Sequence, residues 1–576
     1  MPRRFDNENV AVEDTWNVLE ITDFAGINTR DHALGIDSDQ FISMQNMLVV
    51  GLGIEKRLGS VLFGSVQSAT KVVGLGALDQ DSGLTQLMLA NQTLYKYVSS
   101  DWIASDKTDY TINTDAVIET FTSKGGSSVD SGTTSSGSTQ YLLEDASKNW
   151  TPGEHQGRCV VIEGEVKYIS DNSKVVLYLS DKLNGTDDSL YKSKAYAIHE
   201  LSPHAIICNG VDSVQKYDLT TTTPIDGTHV TGGKALPIAK YATQHQGRMF
   251  YARGSKDKND RVDISDVGVA ENVTVDTNLN FNTQFYNDGQ SVTGIVSLPT
   301  EEGSVLVATK ERSVHTLDGD NVLNYRTHPR IRRTGCIAPK TLKVAGRNAF
   351  FLSDEGVISL DTAANPLLDD PVPISRSIQN QIDAKTDAER SNACAEVQDN
   401  RYYLWIGTSA WYYDIEASLR QQKHVWVDLN YPYAANVMAN IDGVLYMGSQ
   451  SDGQIYQLGS TNQDNVINVE GSIETGRISL PGRPLFWVER IEIIAETDSS
   501  SILRCSYAKD GAAYPSTHTP ITLDETNNRY VWQIQERVYD IKLKIRELGS
   551  NAPVRFVPPI RIFYSRSDFG ESGTKG

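Results

Sequence analysis

Residues 442–460 read "DGVLYMGSQSDGQIYQLGS". Each Asp-Gly pair accepts the positive φ of a tight turn at little cost. Each is followed by a short apolar run that carries a tyrosine, Tyr446 or Tyr456. Two such runs joined by "SQSDG" read as neighbouring antiparallel strands of one meander, with the tyrosines expected between packed sheets. The same alternation of short strand and Gly, Asp or Asn turn fills residues 200–460: "SVQKYDL", "GRMFYARG", "AFFLSDEGVISLD", "RYYLWIG". The spacing is irregular, so this is no strict tandem repeat. A run of meanders this long predicts an all-β fold, a β-propeller in preference to a large sandwich.

The rest of the chain fits around that centre. Residues 1–60 form an N-terminal segment of strand-like pieces, with a short amphipathic stretch at Gln40–Met47. Residues 61–122 supply the first propeller strands, separated by "DQDSG" (79–83) and "NQ" (91–92). Residues 123–140, "SKGGSSVDSGTTSSGSTQ", have the composition of a flexible linker or exposed loop. They open a small tethered β insertion domain over 123–199, and the propeller resumes over 200–469. Breaks are expected at 287–294 and 362–390, the second holding one substantial helix around Ser375–Lys385. Residues 470–565 alternate more strictly, as in "WVERIEIIAE" and "VYDIKLKIRE". They read as half-buried antiparallel strands of a C-terminal β-sandwich. Residues 566–576 read as a polar tail.

Composition bounds the function. The 576 residues carry a net charge of −20, which disfavours gripping nucleic acid through phosphates. The charge suits an acidic wall that repels DNA sliding past it, or serves only to keep the protein soluble. The five cysteines, Cys159, Cys208, Cys336, Cys394 and Cys505, are odd in number, widely spaced and without CxxC. That predicts free thiols made in a reducing cytoplasm, with no disulfide framework and no structural zinc. "MPRRFDNENVAVEDTW" lacks the apolar core of a secretory signal. No apolar run approaches the ~18 residues of a membrane helix, so no membrane insertion is expected.

Catalytic motifs are not found in the sequence. There is no P-loop, and "GLG" at 51–53 and 74–76 does not extend to GxGxxG. "HELSPH" (His199–His204) has the wrong spacing for a zinc helix, and Pro203 breaks one. "DQDSG" and "DKNDRVD" (257–263) read as polar turns; after the first, position 90 is Ala90, not the bidentate acid of a calcium loop. "SYAKDGAAY" (506–514) reads as an ordinary Asp-Gly turn. No GxSxG occurs, and ten scattered histidines form no local pairing with a nucleophile. No catalytic, cofactor-binding or metal-binding residue is assigned. From Lys310 to Arg347 nine Lys/Arg face three acids, a local +6 centred on "YRTHPRIRRTG". It reads as a solvated strand edge, a docking surface for an acidic protein, or a phosphate contact.

An ordered set of motifs carries a resemblance. "FAGINTRDHALGIDSDQFISMQNMLVVGLGIEKRLGS" (24–60) presents Gly26, Asn28 and Thr29, then Gln40 and Asn46, then Gly53, Arg57 and Gly59. "VVGLGAL", "NQTLYKY", "HQGRMFYA" with "DISDVG", "ATKERSVHTLDGD", "GCIAPKTL", "FFLSDEGVISL" and the 442–458 stretch follow in order. Over residues 16–565 the chain resembles the tail nozzle, or tail hub, proteins of short-tailed bacteriophages. It departs at Ala25, where that family often has a second Gly, and it is shorter than the longest nozzles.

The resemblance implies a virion protein made in the host cytoplasm, a homo-oligomer in a sixfold ring. The ring would sit below the head-to-tail adaptor protein, with tail fibre or needle proteins beyond it. Genomic DNA would pass through the lumen without sequence-specific binding. The N-terminal segment and C-terminal sandwich would form the platform that meets the adaptor. The implied protein is not an enzyme and needs no cofactor. Two alternatives stand beside it: a baseplate or distal-tail component of a long-tailed phage, and a propeller glycan-binding protein or hydrolase.

Overall fold

The computed structural model describes residues 17–65, 70–80, 83–180, 182–183, 187–225, 238–253, 260–270, 289–301, 303–319, 324–361, 371–498, 501–515, 519–523, 528–548 and 552–566. Residues 567–576 of the expected tail, the first three residues of "DKNDRVD" (257–259), the start of the 287–294 break and residues 362–370 of the second break lie outside them. The protein is all-β, as its turn-and-strand grammar predicts. The chain divides into two compact units, Met1–Gly59 with Ala417–Asn430 and Asn462–Gly576, and Ser60–Glu416 with Tyr431–Thr461.

The second unit contains seven antiparallel meanders among the described residues. Their first strands are Val72–Gln80, Val117–Thr133, Tyr241–His245, Val292–Thr300, Lys343–Ala345, Cys394–Gln398 and Ala435–Ile441. Each first strand touches the next, and the seventh touches the first. That cyclic order makes the unit a β-propeller, with the meanders as blades 1–7. The last blade joins Val444–Ser449 and Gln454–Leu458 to Ser60–Ser65, so that Tyr456 pairs with Leu62 and Leu458 with Ser60. A strand from near one end of the unit thus completes a blade from the other, which closes the ring.

The opening stretch is two strands of blade 7. Asp442 and Gly443 both take positive φ (53° and 75°), as the tight turn before Val444–Ser449 requires. Its two tyrosines serve opposite neighbours. Tyr446 meets Phe63 edge-on at 4.9 Å and joins a cluster with Val72, Leu75 and Met88 of blade 1. Tyr456 stacks on Tyr433 at 3.8 Å, and Tyr433 leads through Tyr431 to Trp405 of blade 6. Tyr446→Ala removes a ring from a closed inter-blade layer and should cost about 3–5 kcal/mol. Urea unfolding of the variant checks this; an unchanged midpoint would refute the packing role.

The Ser/Gly/Thr-rich stretch corrects the linker expectation. Residues 123–133 belong to the strand Val117–Thr133, paired along Ala195–Cys208 with register shifts around Ser128. Gly132 serves close packing rather than flexibility. A Cβ on Gly132 would stand 2.2 Å from Asp145 Oδ2 and 2.6 Å from the Tyr196 hydroxyl. Between these two long strands the chain inserts Leu142–Glu144, Cys159–Ile162, Glu165–Asn172 and Val176–Leu179. The insertion has its own core, with Trp150, Ile169, Leu177 and Tyr191. Lys167 of the insertion pairs with Asp266, both buried, at 2.5 Å.

The helix expectation also changes. Ser375–Lys385 holds only a 3-10 turn at Arg376–Ile378 and the five-residue helix Gln379–Asp383. Asp387–Ser391 follows, capped reciprocally by Thr386 and Glu389. The longest α-helix among the described residues is Ile415–Gln421, seven residues that sequence reasoning read as part of a strand region.

The first unit is a two-sheet β-sandwich. One sheet orders Met47–Val50, Gly53–Lys56, Val554–Arg566, Phe486–Thr497 and Arg529–Val538, with Asn17–Ile21 also on Val554–Arg566. The other orders Val425–Leu429, Phe41–Gln45, Gly471–Thr475, Ile541–Glu547, Ser501–Lys509 and Thr519–Leu523. Alternation is strict along Arg529–Ile534, where Tyr530, Trp532 and Ile534 are buried and Arg529, Val531 and Gln533 exposed, whereas along Phe486–Thr497 register shifts interrupt it and Glu492 is buried. Trp532 meets Tyr507 of the other sheet edge-on at 5.8 Å. The amphipathic stretch at Gln40–Met47 falls on the strand Phe41–Gln45 and the start of Met47–Val50.

Candidate functional site

The first strands of six of the seven blades, all but blade 6, line a cavity of about 370 Å³ between them. Its walls mix apolar side chains, Leu75, Ile118, Val296, Leu342 and Met438 among them, with nearly as much polar surface. The "GLG" at 74–76, too short for a nucleotide loop, has a packing role. A Cβ on Gly76 would stand 2.8 Å from Ile118 of blade 2.

Charged groups enter the cavity from blades far apart in sequence. Lys340 Nζ donates to Asp115 Oδ2 and Asn436 Oδ1, both at 2.9 Å. Lys71 reaches Asp115 Oδ1 at 3.1 Å, and Asn436 Nδ2 donates to the same oxygen at 3.0 Å. Burial disfavours an ionised Asp115, but Lys340, Asn436 and Lys71 outweigh it and hold its pKa below the usual carboxylate value. Lys343 pairs with Glu396 at 2.6 Å. Burial works against the Lys343 charge, yet Glu396 keeps its pKa raised.

Glu119 is the exception. Its carboxyl lines the cavity beside Lys343 and Glu396, and among the described residues no side chain or backbone group donates to it. Burial pushes its pKa up to about 7; Lys343 opposes the shift and Glu396 adds to it. Ser297 and Thr243 bring hydroxyls to the same cavity. Ser297 Oγ lies 2.8 Å from Nδ1 of His245, whose pKa burial lowers to about 4. The arrangement can hold or release one proton near neutral pH and offers hydrogen bonds to a small guest. No group of acidic, histidine or cysteine side chains among the described residues could hold a metal ion.

Glu119, Asp115, Glu396 and Ser297 were not singled out from the sequence, because they share no motif or spacing. The available signal was an acid inside an otherwise apolar strand, as in "AVIETF" (116–121) and "CAEVQ" (394–398). The basic stretch Lys310–Arg347 splits. Lys340 and Lys343 turn into the cavity, while Arg326, Arg330 and Arg332 lie on Arg326–Arg332, which pairs with one neighbour, Ser313–Asp318. Arg330 and His328 meet Asp318 there at 3.7 and 3.5 Å. Charge on such a strand discourages sheet addition. All five cysteines are free and buried, and burial raises the thiol pKa of Cys336, Cys394 and Cys505 to about 12. His199 and His204 lie in the strand Ala195–Cys208.

In the first unit, residues of the N-terminal motif form one network. Asn46, at φ 57°, donates to the Glu470 carbonyl and accepts from Arg57 Nε and the Asn430 amide, each at 2.8 Å. Arg57 grips Asp464 through both oxygens at 3.0 and 2.5 Å and donates to the Asn430 carbonyl. Lys56 pairs with Glu547 at 3.0 Å, both side chains 1% exposed. Gly59 is required sterically: a Cβ there would stand 2.1 Å from the Gln463 carbonyl oxygen. Gly26 and Gly53 likewise lie against the backbones of Trp426 and Phe556, and Asn28 donates to Gln40 at 2.9 Å. These residues bind together the three chain segments that make up the unit.

No family model and no curated protein matches the chain. Solved structures that match include an exo-β-1,3-galactanase from Phanerochaete chrysosporium, at 7% identity and TM-score 0.22, covering 58% of this chain and 97% of that one. The Malassezia sympodialis allergen Mala s 1 matches at 12% identity and TM-score 0.27, covering 46% and 87%. The WD40 domain of SCAP from fission yeast matches at 10% and 0.17, covering 67% and 84%. At these scores the likenesses carry no argument about function. The propeller assignment rests on the cyclic strand order.

Proposed function

We propose that this chain is a structural virion protein, the tail nozzle or hub subunit of a tailed phage. One observation carries the reading. Motif residues that resemble that family, from Gly26 to Gly59, converge on the network that builds a sandwich from discontinuous segments. In this reading the sandwich is the platform that meets a head-to-tail adaptor protein, and the propeller is the body. The partners are further copies of this chain in a sixfold ring, the adaptor, tail fibre or needle proteins, and genomic DNA in transit. The location is the virion tail.

The axial cavity has room for about a dozen waters, far too little for a duplex. The DNA path must therefore lie in the opening enclosed by a ring of copies. The net charge of −20 suits a wall along which DNA moves without sticking. Among the described residues no helix is long and apolar enough to cross a membrane.

Negative-stain electron microscopy with light scattering tests the reading. Rings with an open centre are the expected result, alone or after addition of the adaptor. Particles that keep their tails without this protein would sink it. Position and stoichiometry in the particle separate a nozzle from a baseplate or distal-tail component of a long-tailed phage.

A second reading, a propeller glycan binder or hydrolase, is favoured by Glu119, a carboxyl in a concave site of mixed polarity with a pKa near neutrality. Polysaccharide turnover abolished by a single acid-to-amide change would establish the hydrolase form.

A further inference from the structure

We infer that the axial cavity is a binding site for a small, neutral, polyhydroxylated ligand about the size of one pyranose ring, with Glu119, Ser297 and Thr243 as its polar contacts. This extends the second reading from a class to a site and does not depend on ring assembly.

The cavity volume of about 370 Å³ falls within the range of small-molecule pockets. The charges around it select the ligand. Lys343 is neutralised by Glu396, and Lys340 and Lys71 converge on Asp115. Glu119 alone faces the cavity without an internal donor among the described residues. A carboxyl so placed requires donors from a guest, and two adjacent hydroxyls of a sugar ring match its two oxygens. Lys71, Lys340 and Lys343 face Asp115, Glu396 and Glu119, three cations against three carboxylates, so the surroundings carry no net charge to favour a cation or an anion over a neutral polyol. Tyr241, Ile118 and Val296 offer apolar surface to the C–H faces of a ring, and His245 orients the Ser297 hydroxyl.

The groups facing Glu119 from other strands are Lys343, Glu396 and Cys208. An ionised Glu119 accepts stronger hydrogen bonds than a protonated one. Affinity should therefore rise as pH increases through about 7.

The test is calorimetric titration of the whole chain with methyl α-D-glucopyranoside, methyl β-D-galactopyranoside and sorbitol, with methylammonium chloride and sodium phosphate alongside. Saturable binding of at least one pyranoside is expected. Glu119→Gln should weaken it about tenfold or more, the worth of a charge-assisted hydrogen bond. Ser297→Ala should weaken it separately, and carries the test if Glu119→Gln fails to fold. No saturable binding of any pyranoside, or affinity unchanged in the folded variants, overturns the proposal. So does saturation by methylammonium or phosphate alone. Polysaccharide turnover unaffected by Glu119→Gln would overturn this site while leaving the second reading in place. Ring formation is scored on the same samples and bears only on the nozzle reading.

Discussion

Replacing Arg57 by Ala should destabilise the sandwich unit by about 3–5 kcal/mol, the cost of stranding a buried charge partner. Arg57 and Asp464 are 2% and 5% exposed in their side chains, so water cannot take over the lost contacts cheaply. The substitution removes both Asp464 contacts and also the donors to Asn46 and to the Asn430 carbonyl. Three chain segments lose their common anchor at once. Arg57→Lys should recover little, because a single ammonium cannot reproduce the planar fork that reaches Asp464 and Asn430 together. Arg57→Met with Asp464→Leu should recover part of the loss by removing the stranded carboxylate. Denaturant unfolding of the four proteins, followed by tryptophan fluorescence, reads this out. An Arg57→Ala variant with wild-type stability would show that the network is incidental. Under the nozzle reading the same variant should also fail to assemble infectious particles.

Glu119→Gln should remove a pH dependence from the propeller unit. The Glu119 carboxyl has a pKa of about 7 in the folded protein against an ordinary value of 4.5, so the native state holds its proton more tightly than the unfolded chain. Its contribution to stability is complete below pH 4.5 and declines as pH rises through about 7. The decline amounts to about 3 kcal/mol at its full extent. Glutamine carries no proton to lose, so the variant should hold its stability between pH 5 and 8 where the wild type weakens. The readout is the difference between the two proteins at each pH, since other titrating groups act equally on both. Parallel curves would show that Glu119 titrates as an ordinary exposed acid.

The strands and turns were legible in the sequence because their causes are local. Asp442-Gly443 takes the positive φ of a tight turn wherever it occurs, and the alternation of Tyr530, Trp532 and Ile534 follows from the two-residue period of a strand. The apolar runs around Tyr446 and Tyr456 required neighbours on both faces, and both tyrosines found them. Composition misled where a residue type has two physical uses. Serine and glycine at 123–133 suggest freedom by composition, whereas the segment is paired strand and its Gly132 lies against Asp145 and Tyr196. The helix at Ile415–Gln421 escaped notice because seven residues are too few to display a helical period.

What only the tertiary structure decided was which distant residues meet. Ring closure brings Gln454 to Ser65, and the sandwich brings Arg57 to Asp464. No local preference encodes either encounter. The candidate site has the same origin. Glu119, Lys343 and Glu396 lie on three different blades, and only the closing of the ring places one unbonded carboxyl beside an ion pair. The basic stretch shows the distinction most directly. Its charge was plain in the sequence, but whether a given lysine or arginine faced solvent or the propeller axis depended on which strand of which blade it occupied. Lys343 lies on the first strand of blade 5, against the axis, and Arg326 on the last described strand of blade 4, where the charge meets water.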